Sequence, residues 1–309
     1  MRILFMGTPD FAVPSLRSLV ESRHTVAGVV TVPDKPRGRG QRVRPSAVKK
    51  FATQYGLPVY QPEKLDDPDF LEIVESLQLD LMVVVAFRIL PQSLYSIPAQ
   101  GAINLHASLL PKYRGAAPIQ HAIMNGEPET GVTTFFLKPS VDTGDILLQE
   151  SIEIGPDETA GSVHDRLAEL GAEVVLKTVT GIAEDSITPS PQDDSEASPA
   201  PKIRKKHRTI HWDTPASEVH NHIRALSPYP GAVTQWQGDQ LKILRGHVMD
   251  KFTDDGDPGS VVSLKDDTIG IACARGIYGI TELQPAGKRR MKAEDFLNGY
   301  TIEIGEQLG

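Results

Sequence analysis

The sequence predicts an open, mostly parallel α/β sheet followed by a small antiparallel β-barrel. Near the amino terminus, an apolar strand, a helix and a Val-rich strand follow one another, which is the order of a parallel pair joined by a right-handed crossover. After Asp80, the run LMVVVA is apolar at every position, as expected for a central strand covered on both faces. Beyond residue 208, short apolar runs recur at intervals of about ten residues between turn residues, a spacing typical of a small barrel.

Strands and helices alternate along the first 185 residues, as in a Rossmann-like sheet. We predict strands over residues 2–6, 24–32, 58–60, 80–86, 102–106, 132–137 and 146–154. We predict helices over residues 14–22, 46–55, 67–77, 116–125 and 160–184. The last two strands are expected to form an antiparallel pair around the 138–145 loop. The density of Gly and Pro in residues 33–45 argues against regular structure there.

The composition changes at Ser186. Residues 186–208 are rich in Pro, Ser and charged side chains and contain almost no large apolar residue, so we predict a linker. A second unit begins with the segment 210–212, followed by a helix over residues 218–226. Its predicted strands are 232–236, 241–248, 259–264, 268–273 and 279–283, and a final helix begins near Lys292.

The bulk composition predicts a cytoplasmic protein that does not enter membranes. The 309 residues include one cysteine, Cys273, so no intrachain disulfide can form, and a reducing compartment fits best. No apolar run reaches the ~20 residues of a membrane span, and the opening MRILFMG is too short for a signal-peptide core. Because Cys273 lies in an apolar strand, we interpret it as a core residue rather than a nucleophile.

The charge distribution permits binding to a polyanion although the net charge is −8. Three stretches are locally basic, and local charge dominates beyond a Debye length of about 10 Å. Three solvated loops would explain the same pattern. The basic residues are Lys35, Arg37, Arg39, Arg42, Arg44, Lys49 and Lys50 in the first stretch, Lys202, Arg204, Lys205, Lys206 and Arg208 in the second, and Lys288, Arg289, Arg290 and Lys292 in the third.

Two polar residues occupy the predicted strand 102–106. Side chains alternate along a strand, so Asn104 and His106 share one face. They lie at the carboxyl end of the strand, where open α/β sheets bind ligands. They could be satisfied polar residues of the core, or they could organise a loop. They could also be an amide that polarises an electrophile beside an imidazole that transfers protons.

A carboxylate partner for His106 is available in the later segment VDTGD. Asp142 or Asp145 near the ring would orient it and favour its charged form, although both could be simple turn residues. Other chemistries have weaker signals. The segment GTPD at 7–10 is not a dinucleotide-binding glycine motif, and the spacing of His220 and His222 puts them on different faces of a helix, which makes them poor metal co-ligands.

The chain resembles the methionyl-tRNA formyltransferase family along nearly its whole length. The matching segments are FMGTPDFAVPSL (5–16), TVPDKPRGRG (31–40), INLHASLLPKYRGAAPIQ (103–120), VDTGDIL (141–147), IRALSPYPGA (223–232) and LQPAGKRRM (283–291). The block H-x-S-L-L-P-x-x-x-G indicates the wider group of folate-dependent formyltransferases. The basic GRG segment and the two carboxyl-terminal segments are specific to the enzymes that act on tRNA.

The resemblance implies transfer of a formyl group from 10-formyltetrahydrofolate to the α-amine of methionyl-initiator tRNA, with no metal. By motif, Asn104, His106 and Asp142 correspond to the catalytic residues. The resemblance also implies a folate-contacting loop at Ser108, Leu109, Leu110 and Pro111, and pterin contacts with the main chain at Val85, Ala86, Phe87 and Leu90. The expected pattern A-Y-G-x-I-L-P is one residue longer than AFRILP here and contains Gly, so we expect backbone contacts to survive the change.

The resemblance also divides the chain into a formyltransferase catalytic domain (1–185), a linker (186–208) and an OB-like tRNA-binding domain (209–309). Barrels of that type suit nucleic-acid backbones, and a Gly- and Arg-rich loop suits RNA. The implied protein is a monomer. Its predicted tRNA-binding residues are Arg37, Arg39, Arg42, Arg44, Lys205, Lys206, Lys288 and Arg289.

Three other functions remain open from the sequence. A formyltransferase acting on a sugar-nucleotide amine would use the same three residues and the same folate, without needing the basic loop. An RNA-binding protein built on an inactive core is disfavoured by the intact set of three residues. An NAD-dependent oxidoreductase is disfavoured by the missing glycine motif.

Overall fold

The computed structural model describes residues 1–37, 42–249, 256–265 and 267–309, without the side chains of residues 36, 37, 42 and 43. These residues pack into two compact units. The first comprises Met1–Ala116, Thr130–Ile152 and His164–Ala200, and the second comprises Ala117–Glu129, Glu153–Val163 and Pro201–Gly309. None of the helices in the described ranges combines the length and the apolar character that a membrane span requires.

A seven-stranded sheet forms the centre of the first unit. The strands up to residue 153 are β1 (Arg2–Gly7), β2 (Thr25–Val30), β3 (Lys35–Arg37), β4 (Arg42–Arg44), β5 (Val59–Tyr60), β6 (Leu81–Val85), β7 (Ala102–His106), β8 (Glu129–Phe136) and β9 (Ile146–Glu153). The order in the sheet is β5-β2-β1-β6-β7-β8-β9. The first five are parallel, and β8 runs antiparallel to β7. The predicted open, mostly parallel sheet is confirmed.

The predicted helices of this part are present with slightly different ends. The helices are α1 (Val13–Val20), α2 (Ala47–Gln54), α3 (Pro68–Ser76), α4 (Gln92–Tyr95), α5 (Pro118–Met124) and α6 (Ala160–Ala183). Helix α4 was not predicted, because a single turn is too short to show helical periodicity. Ser46 and Asp67 cap α2 and α3 by accepting main-chain N–H groups, and Pro118 lies in the first turn of α5, where its missing N–H costs nothing.

The carboxyl end of β7 is held in the sheet between β6 and β8. All of β6 is buried, as the apolar run predicted. Asn104 lies between Val84 of β6 and Phe135 of β8, and His106 pairs with Thr133. Leu105 points to the opposite face of the sheet, where it packs closely against Gly171 of α6. A Cβ added to Gly171 would lie 2.6 Å from Cδ2 of Leu105.

The prediction of no regular structure over residues 33–45 was wrong in part. Strands β3 and β4 pair antiparallel, with Lys35 opposite Arg44 and Pro36 opposite Val43. Half of the N–H groups of a two-stranded ribbon point outward, so Pro36, which has no N–H, is tolerated there. Residues 38–41, including the predicted tRNA contact Arg39, lie outside the described residues.

The segment 186–208 has local structure of its own. It contains 3-10 turns at Asp194–Glu196 and Lys205–Arg208. Single β-bridges join Ser190 to Ile146 and Pro199 to Arg114. Residues up to Ala200 therefore pack within the first unit, although their composition resembles that of a linker.

An antiparallel sheet forms the second unit, consistent with the predicted small barrel. The remaining elements are α7 (Ala216–Leu226), β10 (Ala232–Trp236), β11 (Asp239–Met249), β12 (Val261–Lys265), β13 (Thr268–Ala272), β14 (Ile277–Pro285), β15 (Met291–Lys292) and α8 (Ala293–Gly299). The order is β10-β11-β14-β13-β12, with β15 beside β14. Trp212, Tyr278 and Phe296 are among its core residues. Cys273 also belongs to this core, and burial raises the pKa of its thiol to about 11. Both properties agree with its interpretation as a core residue rather than a nucleophile.

The first testable prediction concerns Ser46, which is buried at the start of α2. Its hydroxyl accepts the N–H of Lys49 at 3.0 Å and shares a 2.8 Å hydrogen bond with the buried hydroxyl of Thr31. We expect Ser46→Ala to lower the free energy of unfolding by about 1–2 kcal/mol, because a cap is lost and the Thr31 hydroxyl is left without this partner. Urea denaturation measures the change. The matched control is Ser76→Ala at the exposed end of α3, which should change stability by no more than about 0.5 kcal/mol. Equal effects would contradict the assignment.

Candidate active site

His106 is held at the carboxyl end of β7 by a main-chain carbonyl. Its side chain is 7% exposed, and its Nε2 lies 2.8 Å from the carbonyl oxygen of Tyr113. A carbonyl oxygen only accepts hydrogen bonds, so Nε2 carries the proton in this contact. The neutral ring therefore has its lone pair on Nδ1.

The free ring nitrogen of His106 faces Asp142. Its Nδ1 lies 3.7 Å from Oδ2 of Asp142, whose side chain is 13% exposed. The same carboxylate oxygen accepts the N–H of Gly115 at 2.9 Å. Asp145, the other candidate, instead pairs with Lys138 at 2.8 Å. The structure thus brings Asp142, and not Asp145, to ion-pair distance from His106.

Asn104 lies two residues before His106 in β7, and therefore on the same face of the strand. It is only partly buried. Within the described residues, its side-chain amide has no hydrogen-bond partner. An amide with free donors beside a buried imidazole and a carboxylate can donate to an oxygen on which negative charge develops.

The 108–115 turn, which follows β7, is bonded tightly to the sheet. The fully buried Ser108 donates through Oγ to the carbonyl of Lys112 at 2.7 Å. The N–H of Leu110 donates to Oγ1 of Thr133 at 3.1 Å, and its carbonyl accepts from Nε2 of Gln149 at 2.7 Å. Of the predicted folate-contacting residues, Ser108 and Leu110 are thus buried and bonded internally, whereas Leu109 and Pro111 are partly exposed.

Left-handed backbone conformations concentrate around this site. Tyr113 has φ 61°, Asp142 has φ 56° and Ala86 has φ 48°. Such values are uncommon for residues with a Cβ and persist only where the surroundings determine them. At Tyr113, the conformation lets the carbonyl bond His106 while the N–H donates to Oγ of Ser198 at 2.9 Å. Sequence reasoning missed both Tyr113 and Ser198, because no local pattern signals a contact made through main-chain groups.

The shortened 86–91 segment is held by Arg88. The guanidinium donates from Nη1 to the carbonyl of Glu63 at 2.8 Å and from Nη2 to that of Pro62 at 2.9 Å, and it lies 5.2 Å from the centre of the Phe87 ring. Burial lowers the pKa of Arg88. Arg88 was not among the residues predicted from the sequence, although an arginine in a shortened motif is a usable signal.

A pocket of about 320 Å³ lies beside this segment. Ile89, on its wall, is 78% exposed. Within the described part of the chain, the main-chain groups of residues 87–90 form no hydrogen bond, so they are available to a ligand. Among the predicted pterin contacts, Val85 and Leu90 are buried and Ala86 is exposed. The pocket is lined by Leu65, Asp66, Arg88, Ile89, Leu90 and Pro91.

Five of the predicted tRNA-binding side chains are exposed and form no ion pair with any described residue. By contrast, the neighbouring Arg290 pairs with Glu282. A solvated cation without a partner is free to contact a phosphate. Arg37 and Arg42 lie in β3 and β4, and their side chains are not described. The five exposed residues are Arg44, Lys205, Lys206, Lys288 and Arg289.

Known proteins match the chain from end to end. Residues 1–179 match the family described as formyl transferase, and residues 202–301 match the formyl transferase C-terminal domain. A methionyl-tRNA formyltransferase of Trichlorobacter lovleyi is 46% identical over 99% of this chain and 96% of its own length. That of Moorella thermoacetica is 48% identical over 100% of this chain and 99% of its own.

Solved structures share the fold at lower identity. WlaRD, a sugar 3N-formyl transferase solved in the presence of dTDP and 5-N-formyl-THF, is 20% identical with a TM-score of 0.69, covering 94% of this chain and 99% of its own. HypX from Aquifex aeolicus, solved in complex with tetrahydrofolic acid, is 21% identical with a TM-score of 0.66 over 99% of this chain. This chain spans about half of HypX, 50% of its length.

Proposed function

The chain belongs to the methionyl-tRNA formyltransferase family, and we propose that Asn104, His106 and Asp142 carry the family's reaction in it. That reaction transfers the formyl group of 10-formyltetrahydrofolate to the free α-amino group of methionyl-initiator tRNA, giving N-formylmethionyl-tRNA for translation initiation. The observation that carries the residue assignment is the 3.7 Å approach of the Asp142 carboxylate to the His106 ring, beside the unbonded Asn104 amide.

We propose that the pocket beside the 86–91 segment binds the ring of the formyl donor. Its apolar walls suit the faces of a flat ring, and the free main-chain groups of residues 87–90 suit its polar edge. Arg88 would hold this segment in place through its bonds to Pro62 and Glu63. Leu109 and Pro111 of the 108–115 turn offer further partly exposed surface. When bound, the folate supplies the formyl group on its N10.

His106 moves the proton in this proposal. Its Nδ1, free in the neutral ring, accepts the proton that the methionyl amine releases as the amine attacks the formyl carbon, and later delivers it to N10 of the leaving folate. Asn104 donates its amide N–H to the formyl oxygen as negative charge develops there. Each contribution is expected to be worth about 10²–10⁴ in rate.

Asp142 is proposed to stabilise the imidazolium that forms on His106 during the proton transfer. Once Nδ1 is protonated, the ring is a cation 3.7 Å from the carboxylate, and the attraction is strong because both side chains are largely removed from water. Gly115 holds the carboxylate in this position by donating its N–H to the same oxygen.

The tRNA is proposed to bind through the exposed basic residues Arg44, Lys205, Lys206, Lys288 and Arg289, together with Arg37, Arg39 and Arg42. Their positive charges suit the phosphate backbone. We further propose residues 1–185 as the catalytic domain, 186–208 as a linker and 209–309 as a tRNA-binding domain. The protein is proposed to act as a monomer in the cytoplasm, where its tRNA substrate is found.

The central test of function measures formyl transfer from 10-formyltetrahydrofolate to charged initiator tRNA. We expect transfer by the wild-type protein, and a loss of about 10²–10⁴-fold in His106→Ala, because the imidazole that transfers the proton is removed. Binding of tRNA should stay nearly unchanged, because the basic residues proposed to contact it are retained. The control is His211→Ala, whose ring is mostly exposed and should not affect the rate. Transfer to an amino sugar nucleotide without transfer to the tRNA would contradict the proposal and favour the alternative enzyme.

A second prediction concerns donor binding. We expect Arg88→Met to raise KM for the formyl donor by about tenfold with a smaller change in kcat, because the 86–91 segment loses two hydrogen bonds from a charged group worth roughly 1.5–3 kcal/mol. Steady-state kinetics with varied donor measures this. Arg23→Met is the control, since Arg23 forms only an exposed ion pair with Glu184. Unchanged KM in Arg88→Met would remove Arg88 from the donor site.

A third prediction concerns the salt dependence of tRNA binding. We expect the Lys205→Ala/Lys206→Ala double variant to bind more weakly and to reduce the slope of log K against log salt by about 2, because two phosphate contacts are lost. The control, Arg23→Ala/Lys177→Ala, changes the net charge equally but removes cations that form exposed ion pairs within the protein. Equal slopes in the two double variants would show that only net charge matters.

A further inference from the structure

The 190–200 segment, which its composition presents as a linker, contacts both loops that form the candidate active site. We propose that Gln192 in this segment is a positioning residue, which sets the orientation of Asp142 toward His106 by tying the 138–145 loop to the 108–115 turn. This inference rests on the proposed function, because it concerns the same reaction.

On one side, the Gln192 amide nitrogen bonds the 138–145 loop. Nε2 donates to the carbonyl oxygen of Asp142 at 3.0 Å and to that of Gly144 at 2.7 Å. Both amide protons are therefore used. These two carbonyls lie on either side of Thr143, so the main chain that follows Asp142 is held at two points.

On the other side, the Gln192 amide oxygen bonds the 108–115 turn. Oε1 accepts from Nε of Arg114 at 3.1 Å and from Nη2 of Arg114 at 2.7 Å. A glutamine has two donor protons and two acceptor lone pairs, and all four are satisfied here. Rotating the amide by 180° would place its nitrogen against the guanidinium and its oxygen against two carbonyls, so the contacts define its orientation.

The main chain around Asp142 is restrained from two directions. Asp142 has a left-handed backbone with φ 56°, a conformation that is uncommon for residues with a Cβ but that aspartate adopts more readily than most. Gly144 lies so close to β8 that an added Cβ would coincide with the carbonyl of Phe136. The backbone on the far side of Asp142 is thus fixed by close packing, and the Gln192 amide fixes the carbonyl of Asp142 itself. The carboxylate is then directed to its place 3.7 Å from His106.

The same segment also holds the carbonyl that bonds His106. The carbonyl of Ser198 accepts the N–H of Arg114 at 2.8 Å, and the N–H of Ala200 donates to the carbonyl of Arg114 at 2.7 Å. These bonds fix the main chain next to Tyr113, whose N–H bonds Oγ of Ser198. Gln192 is the one member of the described 190–200 segment whose side chain bonds both active-site loops.

The Arg114–Asp194 ion pair does not explain the arrangement equally well. It measures 2.7 Å, but the Asp194 side chain is 80% exposed. Exposed ion pairs contribute little, and among the described residues no hydrogen bond or ion pair joins Asp194 to the 138–145 loop. Removing this pair therefore provides a control on the same arginine.

The test is Gln192→Glu in the full-length protein. Glutamate has nearly the same shape and still accepts from Arg114, but it loses both protons donated to Asp142 and Gly144. We expect kcat for formyl transfer to fall about 10–100-fold, since a displacement of about 1 Å can cost 10²-fold. KM for donor and for tRNA should change less than about twofold, and the unfolding midpoint by less than about 4 °C. Asp194→Asn should keep wild-type kcat.

A second measurement does not depend on the substrate. The proton on Nε2 of His106, bonded to Tyr113, gives an NMR signal in uniformly ¹⁵N-labelled protein. We expect it to exchange with water at least about tenfold faster in Gln192→Glu and not in Asp194→Asn, because loosening the two loops opens this contact. Should Gln192→Glu fail to fold, Gln192→Met takes its place, since it also lacks the donors and carries no charge.

The outcomes separate the two proposals. Unchanged kcat and unchanged proton exchange in a folded Gln192→Glu variant overturn the positioning role. Equal losses in Asp194→Asn overturn it as well, because the ion pair would then be the essential contact. A wild-type protein that does not formylate the tRNA overturns the proposed function, and the proton exchange of His106 still decides whether Gln192 positions the pair.

Discussion

The hydrogen bond from Nε2 of His106 to the carbonyl of Tyr113 is the contact on which the rest of the site depends. It commits one nitrogen of a nearly buried ring and thereby leaves Nδ1 facing Asp142. A buried imidazole without such a partner would cost about 1–3 kcal/mol. Tyr113 has a left-handed backbone at the point where its carbonyl bonds the ring, and its N–H bonds Oγ of Ser198. The imidazole is thus oriented by main-chain geometry, and the carboxylate acts on its charge.

The sheet and the loops contribute different things to this geometry. The parallel strands bring Asn104 and His106 to the carboxyl edge, where open α/β sheets bind ligands. The antiparallel strands β8 and β9 then supply Thr133 and Gln149, whose side chains hold the turn after β7 by bonding the main-chain groups of Leu110. The loops carry the strained backbone conformations, which a rigid platform can maintain at a functional site.

Much of the fold followed from local patterns, and part of the site did as well. The buried strand β6, the helix α2 and the core position of Cys273 were predicted because each depends on neighbours in the sequence. The pairing of β3 with β4 was not, because Gly and Pro density describes the average segment and not one ribbon with a tolerated proline. For the site, alternation placed Asn104 and His106 on one face, while the choice of Asp142 over Asp145 required the observed distances.

The sequence by itself determined the order of strands and helices, the apolar centre of the sheet, the shared face of Asn104 and His106 and, by resemblance, the family. These are encoded in periodicity and motifs, which are local. Only the tertiary structure decided which residues position the chemistry. Arg114 and Gln192 are 78 residues apart, and Tyr113 and Ser198 are 85 apart. Hydrogen bonds over such separations exist only after the chain has folded, because no composition or spacing brings a Pro- and Ser-rich segment against two loops.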